Sequence, residues 1–99
     1  MVTEIAYITI DPARAAAFQA AVAEASAQFR AFPGCHAMRL ERVVEDAGQY
    51  RLVVSWDSVE THMVAFREAP NFARWRELAG PFFLSPPKVE HWEVAGDHF

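Results

Sequence analysis

The stretches Phe32-Pro33-Gly34-Cys35 and Trp56-Asp57-Ser58-Val59-Glu60-Thr61-His62 decide the fold of this chain. In the first stretch, the proline and glycine end a helix and Cys35 begins a strand. In the second, a strand ends on the large aromatic side chain of Trp56, and Ser58 caps the helix that follows. The two junctions together predict the order strand, helix, strand, strand, helix, strand.

The chain before the first junction is predicted to form a strand and a long helix. Residues 3–10 carry apolar side chains at both parities, which is typical of a strand covered on both faces. Asp11 and Pro12 indicate a helix start, because the carboxylate caps free backbone N–H groups and proline is tolerated in the first turn. The helix that follows carries one apolar stripe at helical spacing, namely Phe18, Val22, Ala25 and Phe29.

The rest of the chain is predicted to add three strands. Residues 35–44 and 50–56 alternate as two strands of a hairpin whose turn is 45–48, and residues 89–94 form the last strand. This order, βαββαβ, is that of a ferredoxin-like α+β fold, in which a four-stranded antiparallel sheet carries both helices on one face. We expect a single domain over 1–99, with its core at about 3–95 and a short C-terminal tail at 96–99.

The second helix is predicted to be broken. It begins after Ser58, is interrupted at Pro70-Asn71 and ends at Gly80-Pro81. The apolar face of its first part would consist of Val59, His62 or Met63, and Phe66.

The opposite face of the sheet is left without a cover in this arrangement. A bare face with apolar residues would expose a large apolar patch. A second copy, packed sheet against sheet about a two-fold axis, is the simplest cover, so the sequence predicts a homodimer through this open face.

Composition excludes several classes of function. The chain has 99 residues, a formal charge of -4 and only nine basic residues, which are scattered. Nucleic acid and anionic membranes are therefore not expected as partners. No basic leader with an apolar core and no apolar run of membrane-spanning length is present, and the single cysteine, Cys35, suits a reducing compartment. We expect a cytoplasmic protein.

The two opening stretches, together with Phe66-Arg67-Glu68-Ala69-Pro70-Asn71-Phe72, Trp75 and Pro86-Pro87-Lys88-Val89-Glu90-His91, resemble the antibiotic biosynthesis monooxygenase family over roughly residues 3–95. The resemblance implies a dimeric α+β barrel with a pocket in each protomer between the helices and the sheet. Members of that family include cofactor-free monooxygenases of polyketide pathways, quinol monooxygenases and haem-degrading enzymes.

The resemblance implies a cofactor-independent monooxygenase that oxidises a small phenolic, quinol or polyketide-like aromatic substrate. A phenol that is deprotonated in a dry pocket can itself reduce dioxygen, so the protein need supply only binding, a proton acceptor and electrostatic stabilisation. No cofactor is expected, since no dinucleotide, phosphate-loop or zinc-protease motif is present. Ala6, Phe66 and Arg76 occupy the positions that match the three functional residues of the haem-degrading members, which argues against haem.

Three residues are catalytic candidates. His62, on the apolar face of the second helix, could be the general base, or it could be a partly buried histidine bound to a backbone carbonyl. His91 could lie in the pocket or in the dimer interface. Tyr7 could transfer a proton or bind a phenolic substrate, although a buried tyrosine more often serves packing.

The candidates for substrate binding are Phe66, Phe72, Trp75, Arg76 and Tyr50. The aromatic residues could line a cavity for an aromatic ring, or they could be ordinary core. Arg67 or Arg76 could stabilise an anion at the pocket mouth, or could simply be solvated. No metal site is expected, because the histidines lack the spacing that fixes metal ligands.

Two other classes of function remain open at this point. One is a non-catalytic binding or stress-associated dimer that uses the same pocket. The other is an isomerase or lyase in which an acid and a base move protons without oxygen. An enclosed cavity with a titratable side chain pointing into it would favour an enzyme.

Overall fold

The computed structural model describes residues 1–99 and contains one four-stranded antiparallel sheet. Its strands are β1 (Val2–Thr9), β2 (Cys35–Arg42), β3 (Gln49–Trp56) and β4 (Lys88–Trp92), in the order β2-β3-β1-β4. The helices α1 (Ala15–Arg30) and α2 (Pro70–Ala79) pack on one face of the sheet. The predicted ferredoxin-like α+β fold is confirmed.

The start of α1 follows the predicted chemistry. The carboxylate of Asp11 accepts a hydrogen bond from the backbone N–H of Ala13 at 2.9 Å, and a short 3-10 turn, Pro12–Arg14, leads into the helix. The buried residues of α1 are the four of the predicted stripe, Phe18, Val22, Ala25 and Phe29. Burial of this stripe against the sheet fixes the helix in place.

The two stretches that decide the fold contact each other. Gly34 has a φ of +92°, a conformation that favours glycine, and a Cβ at this position would lie 2.7 Å from the Cγ2 atom of Thr61. Its carbonyl accepts a hydrogen bond from the backbone N–H of Asp57 at 2.8 Å. The end of α1 is thereby joined to the end of β3.

The segment after β3 begins as predicted and then departs from an α-helix. Ser58 Oγ accepts a hydrogen bond from the backbone N–H of Thr61 at 3.1 Å, as a cap does. Thr61–Phe66 then forms a π-helical segment, in which His62 and Phe66 are buried. Met63 is exposed, so His62 occupies the position that the sequence left open between the two. The predicted break before α2 is confirmed, but the π-helical turn was not predicted.

The last strand is shorter than predicted. It ends at Trp92, and Val94 is 83% exposed. Strand β4 pairs with β1 up to the partners Thr3 and Trp92, and only one residue of β1 precedes Thr3. Residues 93–94 do not continue the pairing, and beyond Val2 the strand β1 offers residue 94 no partner.

The sheet face turned away from the helices is here called the open face. Tyr7 and Trp92 lie on it with 39% and 54% of their surface exposed, whereas Ile5 and Val53 pair with each other and are both 7% exposed. The ion-paired side chains of Arg39, Glu41 and Arg51 lie on the same face. The face is therefore more polar than the bare apolar surface that the sequence predicted. No helix has the length and hydropathy needed to cross a membrane.

Candidate functional site

A cavity of about 620 Å³ lies between the helices and the sheet. Its size is that of pockets that hold small organic ligands. Glu4, Ala6, Ile8 and Leu52 form the sheet side, and residues of α1, the π-helical segment, α2 and 80–89 form the remainder. The cavity occupies the place that the family resemblance implied.

Aromatic side chains form much of the cavity wall. Phe66, Phe72 and Trp75, three of the predicted binding residues, line it, and so do Phe29 and Phe83. The rings are packed on one another, with the centroids of Phe29 and Trp75 5.2 Å apart. Such a wall fits a flat aromatic ligand, because ring faces and edges can pack on both of its sides.

Glu4 places a carboxyl group at the floor of this cavity. It lies on β1, is only 4% exposed, and its Oε1 accepts a hydrogen bond from Trp56 Nε1 at 2.9 Å. The same oxygen lies 3.2 Å from His62 Nε2. Oε2 of Glu4 has no hydrogen-bond partner. Every fully buried side-chain polar atom in the structure has one, so Oε2 is not fully buried. Because Glu4 lines the cavity, Oε2 is open to it.

His62 is held between Glu4 and His91. Its Nδ1 and the Nε2 of His91 form a hydrogen bond of 2.8 Å, and its Nε2 faces Glu4. The imidazole also stacks on Trp56 with the ring centroids 5.0 Å apart and the planes 16° apart. His62 is 3% exposed, so neither ring nitrogen is free to meet a substrate directly.

His91 reaches this site because of the strand register. Glu4 of β1 and His91 of β4 are paired partners, and paired residues of neighbouring strands point to the same face of a sheet. That face is the one that carries the helices. Glu4, His62 and His91 form a continuous row of titratable groups, here called the proton row.

The environment shifts the pKa values of all three groups. Burial raises the pKa of Glu4 to about 7, although the hydrogen bond from Trp56 and the charge of Arg67 work against this. Burial lowers the pKa of His62 to about 4, with smaller contributions from His91 and Arg67. Burial, followed by the charge of Arg67, also lowers the pKa of His91. Both imidazoles are therefore neutral near pH 7, where Glu4 titrates.

A neutral row can carry a proton by exchange of tautomers. If His62 places its proton on Nε2, toward Glu4, its Nδ1 accepts the N–H of His91. If Glu4 is protonated, the opposite tautomer donates from His62 Nδ1 to His91 Nε2. A proton that enters at one end of the row can therefore leave at the other without either imidazole becoming charged for long.

The two predicted tyrosines lie away from the cavity. Tyr7 is on the open face, where a hydrogen bond with Glu90 raises the pKa of its hydroxyl. Tyr50 is buried, and its hydroxyl accepts a hydrogen bond from Gln19 Nε2 at 3.0 Å. Tyr50 lines a separate surface depression between α1 and β2. Because of these positions, neither tyrosine is brought together with His62.

Cys35 lies where its thiol stays protonated, and the ligand-type side chains do not form a metal site. Burial raises the pKa of the Cys35 thiol to about 11, so the sulfur stays protonated. No group of three or more His, Cys, Asp and Glu side chains is arranged to hold a metal ion.

Arg76, the fourth predicted binding residue on the helical side, does line the cavity, and so does Arg67.

Glu4 is the site residue that sequence reasoning missed. Its position in β1 has the same parity as Ala6, Ile8 and Ile10, which form the buried side of the strand. A charged residue at a buried parity is rare unless it has a partner, and it often marks a functional site. That alternation was the available signal.

The comparisons with known proteins agree with this fold. The sequence profile of the antibiotic biosynthesis monooxygenase family matches residues 1–78. The uncharacterised protein YczJ of Bacillus subtilis (strain 168) is 28% identical over 93 residues, covering 94% of this chain and 98% of YczJ.

Solved structures extend the match. A Bordetella bronchiseptica protein that carries the antibiotic biosynthesis monooxygenase name is 42% identical, with 95% of this chain and 96% of that chain covered and a TM-score of 0.92. SnoaB from Streptomyces nogalater, a cofactor-independent oxygenase, is 17% identical, with 97% and 94% covered and a TM-score of 0.78. At that identity the likeness to SnoaB concerns the fold alone.

Proposed function

Because this chain belongs to the antibiotic biosynthesis monooxygenase family, we propose that it is a cofactor-independent monooxygenase that oxidises a small phenolic, quinol or polyketide-like aromatic substrate with dioxygen. The observation that carries the proposal is the carboxyl group of Glu4, whose pKa is about 7, at the floor of an aromatic cavity. The oxygenase activity named for SnoaB, which has the same fold, supports it.

The cavity would act first by binding and drying the substrate. Phe66, Phe72 and Trp75 would pack against its rings and displace water. Removal of water strengthens the electrostatic effect of each polar group that remains. A phenolic hydroxyl or an acidic ring CH₂ would then face Glu4 Oε2.

Glu4 would take the first proton. A carboxylate with a pKa near 7 is a stronger base than an ordinary glutamate and is still ionised in part at neutral pH. The hydrogen bond from Trp56 holds Oε1 in place, which leaves Oε2 for the substrate. The role that the sequence suggested for His62 thus passes in this proposal to its neighbour, and His62 becomes a positioning residue and a proton carrier.

The substrate anion would supply the electrons. It transfers one electron to dioxygen, and the resulting substrate radical and superoxide combine to form a C–O bond. The peroxide takes the proton from Glu4; cleavage of the O–O bond with loss of the second C–H proton then releases water and leaves a carbonyl. Overall, one CH₂ and one O₂ become one C=O and one H₂O, so no external reductant is needed.

The proton row would let protonated Glu4 reach its carboxylate form before a turnover begins. His91 is only partly buried, whereas Glu4 and His62 are closed off from bulk water. Tautomer exchange along His62 connects the buried carboxyl to the more exposed imidazole. Protons could therefore equilibrate with solvent while a ligand fills the cavity.

The open face supports a homodimer as the working form. Exposed Trp92 and Tyr7 surround the nearly buried pair of Ile5 and Val53 on this face. Aromatic residues with a polar surround of ion pairs are typical of subunit interfaces. A second copy packed on this face would leave the cavity on the helix side free.

Oxygen uptake by the purified protein tests the function. An oxygen electrode would record consumption with a panel of quinols, naphthols and anthrones, before and after treatment with a chelator. We expect uptake with a member of the panel and formation of one carbonyl per dioxygen consumed. Absence of uptake across the whole panel would contradict the proposal.

An isomerase is the alternative that the proton row also favours. Glu4 could take a proton from one position of a substrate and return it to another without oxygen, while His62 and His91 exchange protons with it. Exchange of substrate C–H for deuterium under anaerobic conditions, with no uptake of oxygen in air, would identify that activity.

A further inference from the structure

Two arginines line the cavity and have no acidic partner. Arg67 and Arg76 are exposed cavity residues, so they lie where the cavity opens to solvent. Neither takes part in an ion pair, whereas Arg74, which lies on α2 but outside the cavity, pairs with Glu77 at 2.8 Å. The guanidinium groups at the opening are therefore available for a ligand.

The two guanidinium groups converge on one aromatic ring. The Cζ atoms of Arg67 and Arg76 lie 5.6 Å and 5.9 Å from the ring centroid of Phe72. Phe72 is itself part of the cavity wall, so both guanidinium groups lie beside an aromatic ring that a ligand in the cavity can reach. Contacts of this kind hold arginine side chains in place and reduce the entropy lost when they bind an anion.

The charges of the cavity wall are unbalanced. Glu4 is its sole acidic residue, and it lies on the sheet side at the floor, with a raised pKa. The opening thus carries two permanent positive charges against one carboxyl group that is partly protonated. A ligand that brings one negative charge to the opening would balance this surface.

From this arrangement, and on the basis of the proposed function, we infer that the substrate is an aromatic carboxylate, whose carboxylate group is bound by Arg67 and Arg76 at the opening while its ring lies against Phe72. Arginine suits this group because its planar N–H donors match the two carboxylate oxygens. The reacting position would then lie deeper, toward Glu4. Neutral aromatic compounds of the same shape would bind more weakly.

Substrate binding at Arg67 would also affect the base. The charge of Arg67 lowers the pKa of Glu4, of His62 and of His91. A bound carboxylate would offset that charge, and the pKa of Glu4 would rise further. Glu4 would become a stronger base when the correct substrate is bound, which links recognition to proton transfer.

Binding of a matched pair of probes tests the inference without any turnover. Isothermal titration calorimetry with 1-hydroxy-2-naphthoate and 1-naphthol, which differ in the carboxylate, would be carried out under nitrogen. We expect the wild-type protein to bind the carboxylate probe roughly tenfold or more tightly than the naphthol, as two charge-assisted contacts would give. The double variant Arg67→Gln/Arg76→Gln should bind both probes equally.

A matched control variant is available on the same helix. Arg74→Gln removes an arginine that is outside the cavity, and it should keep the preference for the carboxylate probe. Equal binding of the two probes by the wild type, a preference that persists in the double variant, loss of the preference in Arg74→Gln, or no binding of the hydroxynaphthoate at millimolar concentration would each overturn the inference.

The outcome separates this inference from the proposed function. If the arginine-dependent preference is found but no compound of the panel, carboxylated or neutral, drives oxygen uptake, the carboxylate site stands and the oxygenase proposal fails. If oxygen uptake is found with neutral compounds and the preference is absent, the reverse holds.

Discussion

Glu4 and His91 are direct partners across β1 and β4, and the imidazole of His62 bridges them from the helix side of the sheet. The bridge joins a buried strand, an edge strand and a π-helical turn through three side chains. Each element contributes one titratable group. The arrangement places the strongest base of the row on the buried sheet side of the cavity, and the group with most access to water at the edge of the sheet.

Substitution Glu4→Gln is expected to lower turnover by roughly 10²–10⁴-fold, because it removes the proposed base. The amide oxygen can still accept the hydrogen bond of Trp56, so the local structure should persist. Turnover with the best substrate of the panel would be measured by oxygen uptake. Glu24→Gln, an exposed change on α1, is the control. A rate for Glu4→Gln equal to that of the control would remove Glu4 from the mechanism.

The same variant should change how stability depends on pH. The pKa of Glu4 is raised from 4.5 to about 7, so the folded protein holds this proton more tightly than the unfolded chain. This favourable contribution is complete below pH 4.5, is lost as the pH rises toward 7, and amounts to about 3 kcal/mol. The pKa of His62 is lowered to about 4, so this group has the opposite effect: its contribution to the unfolding free energy is lost as the pH falls below 6.5.

Urea unfolding at pH 5 and at pH 8.5 would separate the two groups. Glu4→Gln removes only the contribution of Glu4. The unfolding free energy of the variant, minus that of the wild type, should therefore be higher at pH 8.5 than at pH 5 by up to about 3 kcal/mol. A difference between the two proteins that does not vary with pH would show that Glu4 titrates normally.

Substitution His62→Ala is expected to lower both turnover and stability. His62 is 3% exposed and stacks on Trp56, so its truncation leaves a cavity and should cost about 2–4 kcal/mol of unfolding free energy. Chemical denaturation would measure the loss. His98→Ala, in the exposed C-terminal residues, is the control and should have no effect. Unchanged stability in His62→Ala would mean that His62 is not stacked on Trp56 in the folded protein.

The mass in solution should be twice the 11.1 kDa of one chain. Trp92→Arg places a charge on the open face and should shift the mass measured by light scattering toward that of one chain. Val64→Arg, at an exposed position of the π-helical segment, should leave the mass unchanged. A single-chain mass for the wild type at micromolar concentration would rule out the proposed dimer.

The sequence predicted more of the fold than of the site. The stripe from Phe18 to Phe29 and the junctions at Gly34 and Ser58 are local signals, and the structure confirms each. The proton row is not local, because Glu4 and His91 are far apart in the chain and meet only through strand register. Periodicity could assign them to faces, but it could not reveal their shared contact with His62.

The two tyrosines also show that periodicity assigns a residue to a face of the sheet but not to a site on that face. Tyr7 and Tyr50 lie on β1 and β3 at positions of opposite parity, so the alternation of each strand does separate the open face from the buried one. What the sequence could not give was the position of the cavity along the buried face. Tyr50 faces the helices, but it contacts α1 through Phe18 and Gln19 at some distance from Glu4.

The π-helical turn Thr61–Phe66 lets the site accept one extra residue without a change of face. A turn of this kind holds one residue more than an α-helical turn, and His62 and Phe66, four residues apart, are both buried in it. Deletion of exposed Met63 would place His62 and Phe66 three residues apart in an ordinary α-helix, and residues at that spacing share one face. In related chains, the loss of one residue here would therefore keep the aromatic wall and the proton row together, with an α-helical turn in place of the π-helical one.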